Sequence, residues 1–184
     1  MSTPIALPTL DSYWVLEPRL PAGQLVAGEY PSARNAAEAD IKLGRFVQFG
    51  ITTFIDLTEA GEHGLRPYAG DIRALAAASG RSISHHRHPI SDLGTPTPRT
   101  MRAILDAIDE ALAAGEMVYV HCYGGIGRTG TVIGCWLVRH GLSGEEALRR
   151  IAEWRAPTPD GWRASPETPD QRALILSWRE VEDE

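Results

Sequence analysis

Residues 117–131 read MVYVHCYGGIGRTGT, and this stretch decides the fold. A short apolar run ends in His121-Cys122, five residues follow, three of them glycine, and Arg128-Thr129 then opens an apolar pattern of helical spacing. A glycine-rich turn between a strand and a helix N-terminus is suited to holding an anion. Its N–H groups can converge on one point, and the helix dipole favours negative charge there. Arg128 adds a planar fork able to bond two oxygens of a tetrahedral dianion. The same positive surroundings favour the thiolate of Cys122, the reactive form of cysteine. The combination predicts a sulfur nucleophile facing an electrophilic phosphorus. Cys122 attacks, while Arg128 and the backbone of Tyr123, Gly124, Gly125, Ile126 and Gly127 bind the phosphoryl oxygens.

Outward from this stretch, strands alternate with helices. Short strands are expected at Tyr13–Leu16 and Leu25–Ala27, around the Pro-Arg-Leu-Pro-Ala-Gly turn of residues 18–23. Asn35 is placed to cap a helix that Gly50 ends. Ile51–Leu57 is a β-branched run of strand length, the alanine-rich residues 66–79 are helical in character, and Ser82–His88 forms a further strand. Met101, Ile104, Leu105, Ile108 and Leu112 give 98–114 a clear helical stripe. Ser143 with Glu146 makes a capping box for a helix over 144–155, and a last helix runs from Pro169 to Val181. The pattern predicts an α/β fold: a central, largely parallel sheet of four to five strands flanked by helices on both faces. The active loop falls at the carboxyl end of a central strand. No repeat or linker divides the 184 residues, so residues 13–184 are taken as one domain behind an extension of residues 1–12.

Two other phosphate motifs compete for the same turn. Gly125, Gly127 and Gly130 also spell G-x-G-x-x-G, but the dinucleotide reading needs a second strand ending in an acidic residue. Glu145 and Glu146 open a helix instead. The nucleoside-triphosphate loop needs a lysine before Thr129 or Thr131, and there is none. His85, His86 and His88 lack the additional ligands of a metal site, and no metal or organic cofactor is expected. Cys135 lies roughly 10 Å along the helix from the turn, too far for a disulfide with Cys122, and reads as a core residue beside Trp136.

The signature His121-Cys122, five residues, Arg128-Thr129 resembles that of the cysteine-dependent protein-tyrosine and dual-specificity phosphatases, bacterial members in particular. Leu25–Pro31 looks like their entry strand, Ile51–Leu57 like the next strand, and His88-Pro89-Ile90-Ser91-Asp92 like their mobile acid loop. The resemblance implies phosphoester hydrolysis through a cysteinyl-phosphate. Asp92 then donates the proton to the leaving group, against its alternative as a turn former before Gly94. His121 orients the turn and helps keep the cysteine ionised. Thr129 either bonds the Cys122 sulfur or caps the helix, and Gln171 either places the hydrolytic water or is a solvated residue at a helix start. The expected substrate is a phosphorylated protein, on tyrosine and/or serine/threonine, because the turn carries no lysine. The alternatives are a small phosphoester (a phosphoinositide, inositol phosphate or nucleotide) or a catalytically idle phosphate-binding module.

Composition narrows the rest. A net charge of -6 argues against a nucleic-acid partner. The N-terminal residues lack the positive segment and apolar run of a signal peptide, with Pro4 and Pro8 interrupting them, so no membrane partner is expected. Two cysteines make no disulfide framework, and a working thiolate suits a reducing cytoplasm.

Overall fold

Alternation along the strands divides the apolar residues between the two faces of a single sheet. The structure, a computed structural model, describes residues 7–16 and 24–180. Its strands are β1 (Tyr13–Trp14), β2 (Leu25–Gly28), β3 (Thr53–Asp56), β4 (Ser84–Arg87) and β5 (Val118–His121), in the order β1-β2-β5-β3-β4. All neighbours are parallel except β1, which runs antiparallel to β2. Leu25, Ala27, Ile55, Val118 and Val120 face one core, closed by α3 (Pro98–Ala113), α4 (Gly127–Arg139), α5 (Gly144–Arg155) and α6 (Pro169–Ser177). Val26, Phe54 and Tyr119 face the other, closed by α1 (Ala36–Phe49) and α2 (Ala69–Ala78). This is the expected sheet with helices on both faces, and five strands are present among the described residues.

Helix ends follow local chemistry. Asn35 accepts from the N–H groups of Ala37 and Glu38, and Gly50 closes α1 at φ 105°. The Ser143–Glu146 capping box forms as expected. Two helix boundaries differ by three residues or more, and three strands are shorter than expected, at Tyr13–Trp14, Thr53–Asp56 and Ser84–Arg87. The helix expected from residue 66 begins at Ala69, because Pro67 disfavours helical backbone at the residue before it. The helix expected to reach Val181 stops at Ser177, where Trp178 turns extended and buries its ring in the core. Val181, the turn at 18–23 and residues 1–6 lie outside the described residues.

The central position of β5, between β2 and β3, matters most for function. It delivers His121-Cys122 at the carboxyl ends of three parallel strands, with the ends of β2 and β3 on either side. Phe46 of α1 anchors the layer beneath, its ring 4.6 Å from Tyr119 and 5.8 Å from Phe54. Because Phe46 is fully buried, Phe46→Ala is expected to cost about 3–5 kcal/mol in a urea unfolding experiment. A loss under about 1 kcal/mol would show that the aromatic layer does not hold the sheet.

Candidate active site

The chain leaves β5 at Cys122, turns through 123–126 and enters α4 at Gly127. Its helix starts without a side-chain cap at Ile126, so the first-turn N–H groups are left for an anion. The turn is pinned from outside through its carbonyls. Tyr30 N–H donates to the Tyr123 carbonyl at 2.9 Å, and Ser165 Oγ donates to that of Ile126 at 2.7 Å. Gly125 has φ 70°, and a Cβ there would stand 2.4 Å from the Gly28 carbonyl carbon, so only glycine fits. Carbonyls drawn outward leave the amides directed inward.

Inside the turn lies a cavity of about 320 Å³. Cys122, Tyr123, Gly124, Ile126, Gly127 and Arg128 line its floor and wall, and Asp92, Leu93 and His63 line the opposite side. Asp160, Arg163 and Glu167 from the loop before α6 complete the rim. The expected nucleophile, anion ligand and acid therefore face one space. Gly125 is not part of the lining; its place is against Gly28.

Arg128 is only 2% exposed, and the elements around it decide how it is held. Glu62, from a short 3-10 turn (Glu62–Gly64) after β3, meets the guanidinium end-on: Nη1 donates to Oε2 at 2.7 Å and Nη2 to Oε1 at 2.6 Å. Nη1 also donates to the Ile90 carbonyl at 3.0 Å. Burial disfavours the charge, but the Glu62 bonds and the Cys122 and Asp92 charges outweigh it, so Arg128 is held more firmly protonated than usual. Among the described residues no hydrogen bond engages Nε, and on the same edge Nη2 is met by Asp92 Oδ1 at 3.2 Å, in the place a phosphoryl oxygen would take. Glu62 was not found from sequence; the only hint was Gly61 and Gly64 bracketing Glu62-His63, since paired glycines mark a tight turn.

His121 acts behind the turn. Its Nδ1 lies 3.1 Å from the Cys122 carbonyl, which can only accept, so the proton is on Nδ1. Nε2 then accepts from the Tyr68 hydroxyl at 2.6 Å. Burial lowers the His121 pKa to about 4, although Asp56, with Oδ1 3.9 Å away, pulls the other way. The ring is neutral near pH 7. It orients the Cys122 carbonyl and brings no positive charge, which corrects the expectation that it helps keep the cysteine ionised. For Asp56, burial opposes ionisation, but bonds from His85 and Thr58 and the nearby His121 more than offset it and hold the carboxyl well below the usual range. Of the histidine cluster, His85 is thus engaged by Asp56, at 3.1 Å.

Asp92 reaches the cavity mouth with Oδ1 3.2 Å from Arg128 Nη2 and Oδ2 2.9 Å from His63 Nε2. Thr129 and Gln171 depart from expectation. The Thr129 hydroxyl is 3.5 Å from the Gly28 carbonyl, and among the described residues it makes no bond to the Cys122 sulfur. β2 and β5 pair Gly28 with His121, so this carbonyl lies beside the helix start. Gln171 is fully buried, not solvated. Its side-chain oxygen accepts from Glu167 and Thr168 N–H, and Nε2 donates to the Gly94 carbonyl at 3.0 Å. It ties the acid loop to α6. Cys135 lies in the core with Trp136, where burial pushes its thiol pKa up.

Against known proteins, residues 28–142 match the family model described as "Polymorphic toxin system, DSP-PTPase phosphatase". The chain is 27% identical over 164 residues to the 067L protein of Invertebrate iridescent virus 3, which carries a tyrosine-phosphatase name, covering 84% of this chain and 61% of that one. It is 39% identical over 132 residues to the human dual specificity protein phosphatase CDC14C, covering 71% of this chain and 26% of the relative. The chain thus spans under two thirds of the length of either. Among solved structures, Tk-PTP in its active form superposes with a TM-score of 0.64 at 26% identity, covering 90% of this chain and 93% of that one.

Two outcomes follow from the geometry. Glu62→Ala leaves a buried guanidinium without its main partner, and a loss of about 3 kcal/mol is expected on denaturant unfolding; no loss would mean that Glu62 does not hold Arg128. For His121, the unfolded chain takes up its proton at 6.5 and the folded chain only near 4. Stability is therefore full above pH 6.5 and falls as the pH drops through that window. Thermal melts between pH 7 and 4.5 should show this fall, shallower in His121→Gln, with a residue left by His88, whose pKa burial also lowers. Equal slopes in both proteins would contradict a neutral, buried His121.

Proposed function

The chain belongs to the DSP-PTPase phosphatase family, and from that premise we propose that it hydrolyses phosphoric monoesters through a cysteinyl-phosphate intermediate. The observation that carries the reading is that Cys122 and Arg128 face one cavity with Asp92 at its mouth. The phosphoryl dianion sits on the turn amides and the Nε–Nη2 edge of Arg128. The Cys122 thiolate attacks phosphorus, an S–P bond forms, and the ester P–O bond breaks while Asp92 gives its proton to the departing oxygen. Asp92, now a carboxylate, takes a proton from the water that attacks the cysteinyl-phosphate. The thiolate, inorganic phosphate and the protonated acid result. Barrier lowering comes from positioning and charge, as in phosphoryl transfer generally.

The favoured substrates are proteins phosphorylated on tyrosine and/or serine/threonine. The turn residues from Tyr123 to Gly127 carry no cation, and Arg163 on the rim is already engaged by Glu167 and Asp160. A polyphosphorylated headgroup would find little spare positive charge there. A reducing compartment such as the cytoplasm suits the chemistry, since Cys122 and Cys135 are both free thiols. A phosphate-binding module without turnover would gain nothing from a carboxyl at the cavity mouth, where it repels the ligand.

Phosphate release from phosphotyrosine and phosphothreonine peptides, phosphoinositides and nucleotides tests the reading, with Cys122→Ser as the blank. Release from the phosphopeptides is expected, falling to background in Cys122→Ser and roughly 10²-fold in Asp92→Asn. Release unaffected by Cys122→Ser would overturn the reading.

A further inference from the structure

Among the described residues, the non-glycine residues with left-handed backbone are His63 at φ 50° and Leu93 at φ 60°. Both belong to one contact. His63 Nε2 lies 2.9 Å from Asp92 Oδ2, and Leu93 directly follows Asp92. Strained backbone of this kind persists where its surroundings hold it and collects at functional sites. Here the hold is visible. Gly61 at φ 77° and Gly64 at φ 67° bracket His63, and Arg34 Nη2 donates to its carbonyl at 2.8 Å. Its ring also leans on Tyr123, centroids 4.8 Å apart. The mechanism above gives His63 no part.

Resting on the phosphatase reading, we propose that His63 is the positioning residue of the acid. Its Nε2–H holds Asp92 Oδ2, so that Oδ1 is the oxygen that carries the proton toward the leaving group. The need arises from exposure and competition. The Asp92 side chain is 44% exposed and stands on a loop. Its contact with Arg128 Nη2 competes with the phosphoryl oxygens that the same nitrogen must bind. The Leu93 N–H bond to Oδ1, at 3.1 Å, comes from the same loop and moves with it. His63 is the contact that fixes the carboxyl to another element while substrate occupies Arg128. When the ester P–O bond breaks, the proton passes from Oδ1 to the leaving oxygen. The new carboxylate keeps the His63 N–H bond, and His63 gives up no proton.

The test compares two esters with the same phosphoryl group. Dinitrophenolate departs without a proton, whereas phenolate, which is basic, gains from one. His63→Asn retains a residue that tolerates the left-handed backbone but shortens its reach, and His63→Gln restores an N–H at longer reach. For His63→Asn the expected result is a roughly 10- to 100-fold fall in kcat on phenyl phosphate, a much smaller fall on dinitrophenyl phosphate and little change in KM. His63→Gln should regain most of the phenyl phosphate rate. Equal losses on both esters, or none on phenyl phosphate, would overturn the role of His63. If Cys122→Ser matched the unmodified protein on both esters, the phosphatase reading itself would fail.

Discussion

A guanidinium taken almost wholly out of water must be neutralised, and the rest of the site is arranged around that need. Glu62 meets Arg128 end-on with two short bonds, and the Ile90 carbonyl accepts a third. The pairing keeps the charge and fixes the plane of the fork. Because the carboxylate takes the two terminal nitrogens from one side, the remaining edge is presented to the cavity. A buried ion pair of this kind is poor value as a source of stability alone. Its use here is orientation, and it links three segments remote in sequence: the turn after β3, the acid loop and the start of α4.

The glycine-rich turn after β5 has its own constraint. Amides can point inward only if the carbonyls are drawn outward and the chain comes close to its neighbour at Gly125. Each requirement is met by another part of the chain: Tyr30, Ser165, His121 and the Gly28 backbone. The sheet order explains why these partners are at hand. With β5 central, the ends of β2 and β3 flank Cys122, and α6 closes the remaining side through Gln171. The acid loop is tied by Asp92 to His63 and Arg128 and by Gly94 to Gln171. Its carboxyl is therefore held at the cavity mouth.

Much of this was legible in the sequence because Cys122, the glycine-rich turn and Arg128 are consecutive. A strand followed by glycines and a helix leaves little freedom in how those residues are placed. The strand within Ile51–Leu57 was legible because a β-branched run of strand length is a local signal. What could not be read depends on contacts between distant segments. Glu62 and His63 lie in a left-handed turn whose direction follows from no propensity. Thr129 was expected at the Cys122 sulfur or as a helix cap; its approach to the Gly28 carbonyl instead follows from the β2–β5 register. Gln171 was expected to place the hydrolytic water or to stand solvated at a helix start; its burial at the start of α6 follows from the packing of that helix against the loop at Gly94. Trp178 ended its helix early for a packing reason that helical periodicity does not carry.

The central claim is that sulfur and guanidinium close one cradle around a phosphoryl group, with the sulfur taking that group covalently. The most direct measurement is rapid acid quench during turnover of an aryl phosphate, followed by mass spectrometry of the peptide containing Cys122. The account predicts a single phosphoryl group on that peptide, on sulfur, formed at least as fast as phosphate is released. Steady phosphate release with Cys122 unmodified at every quench time would contradict it.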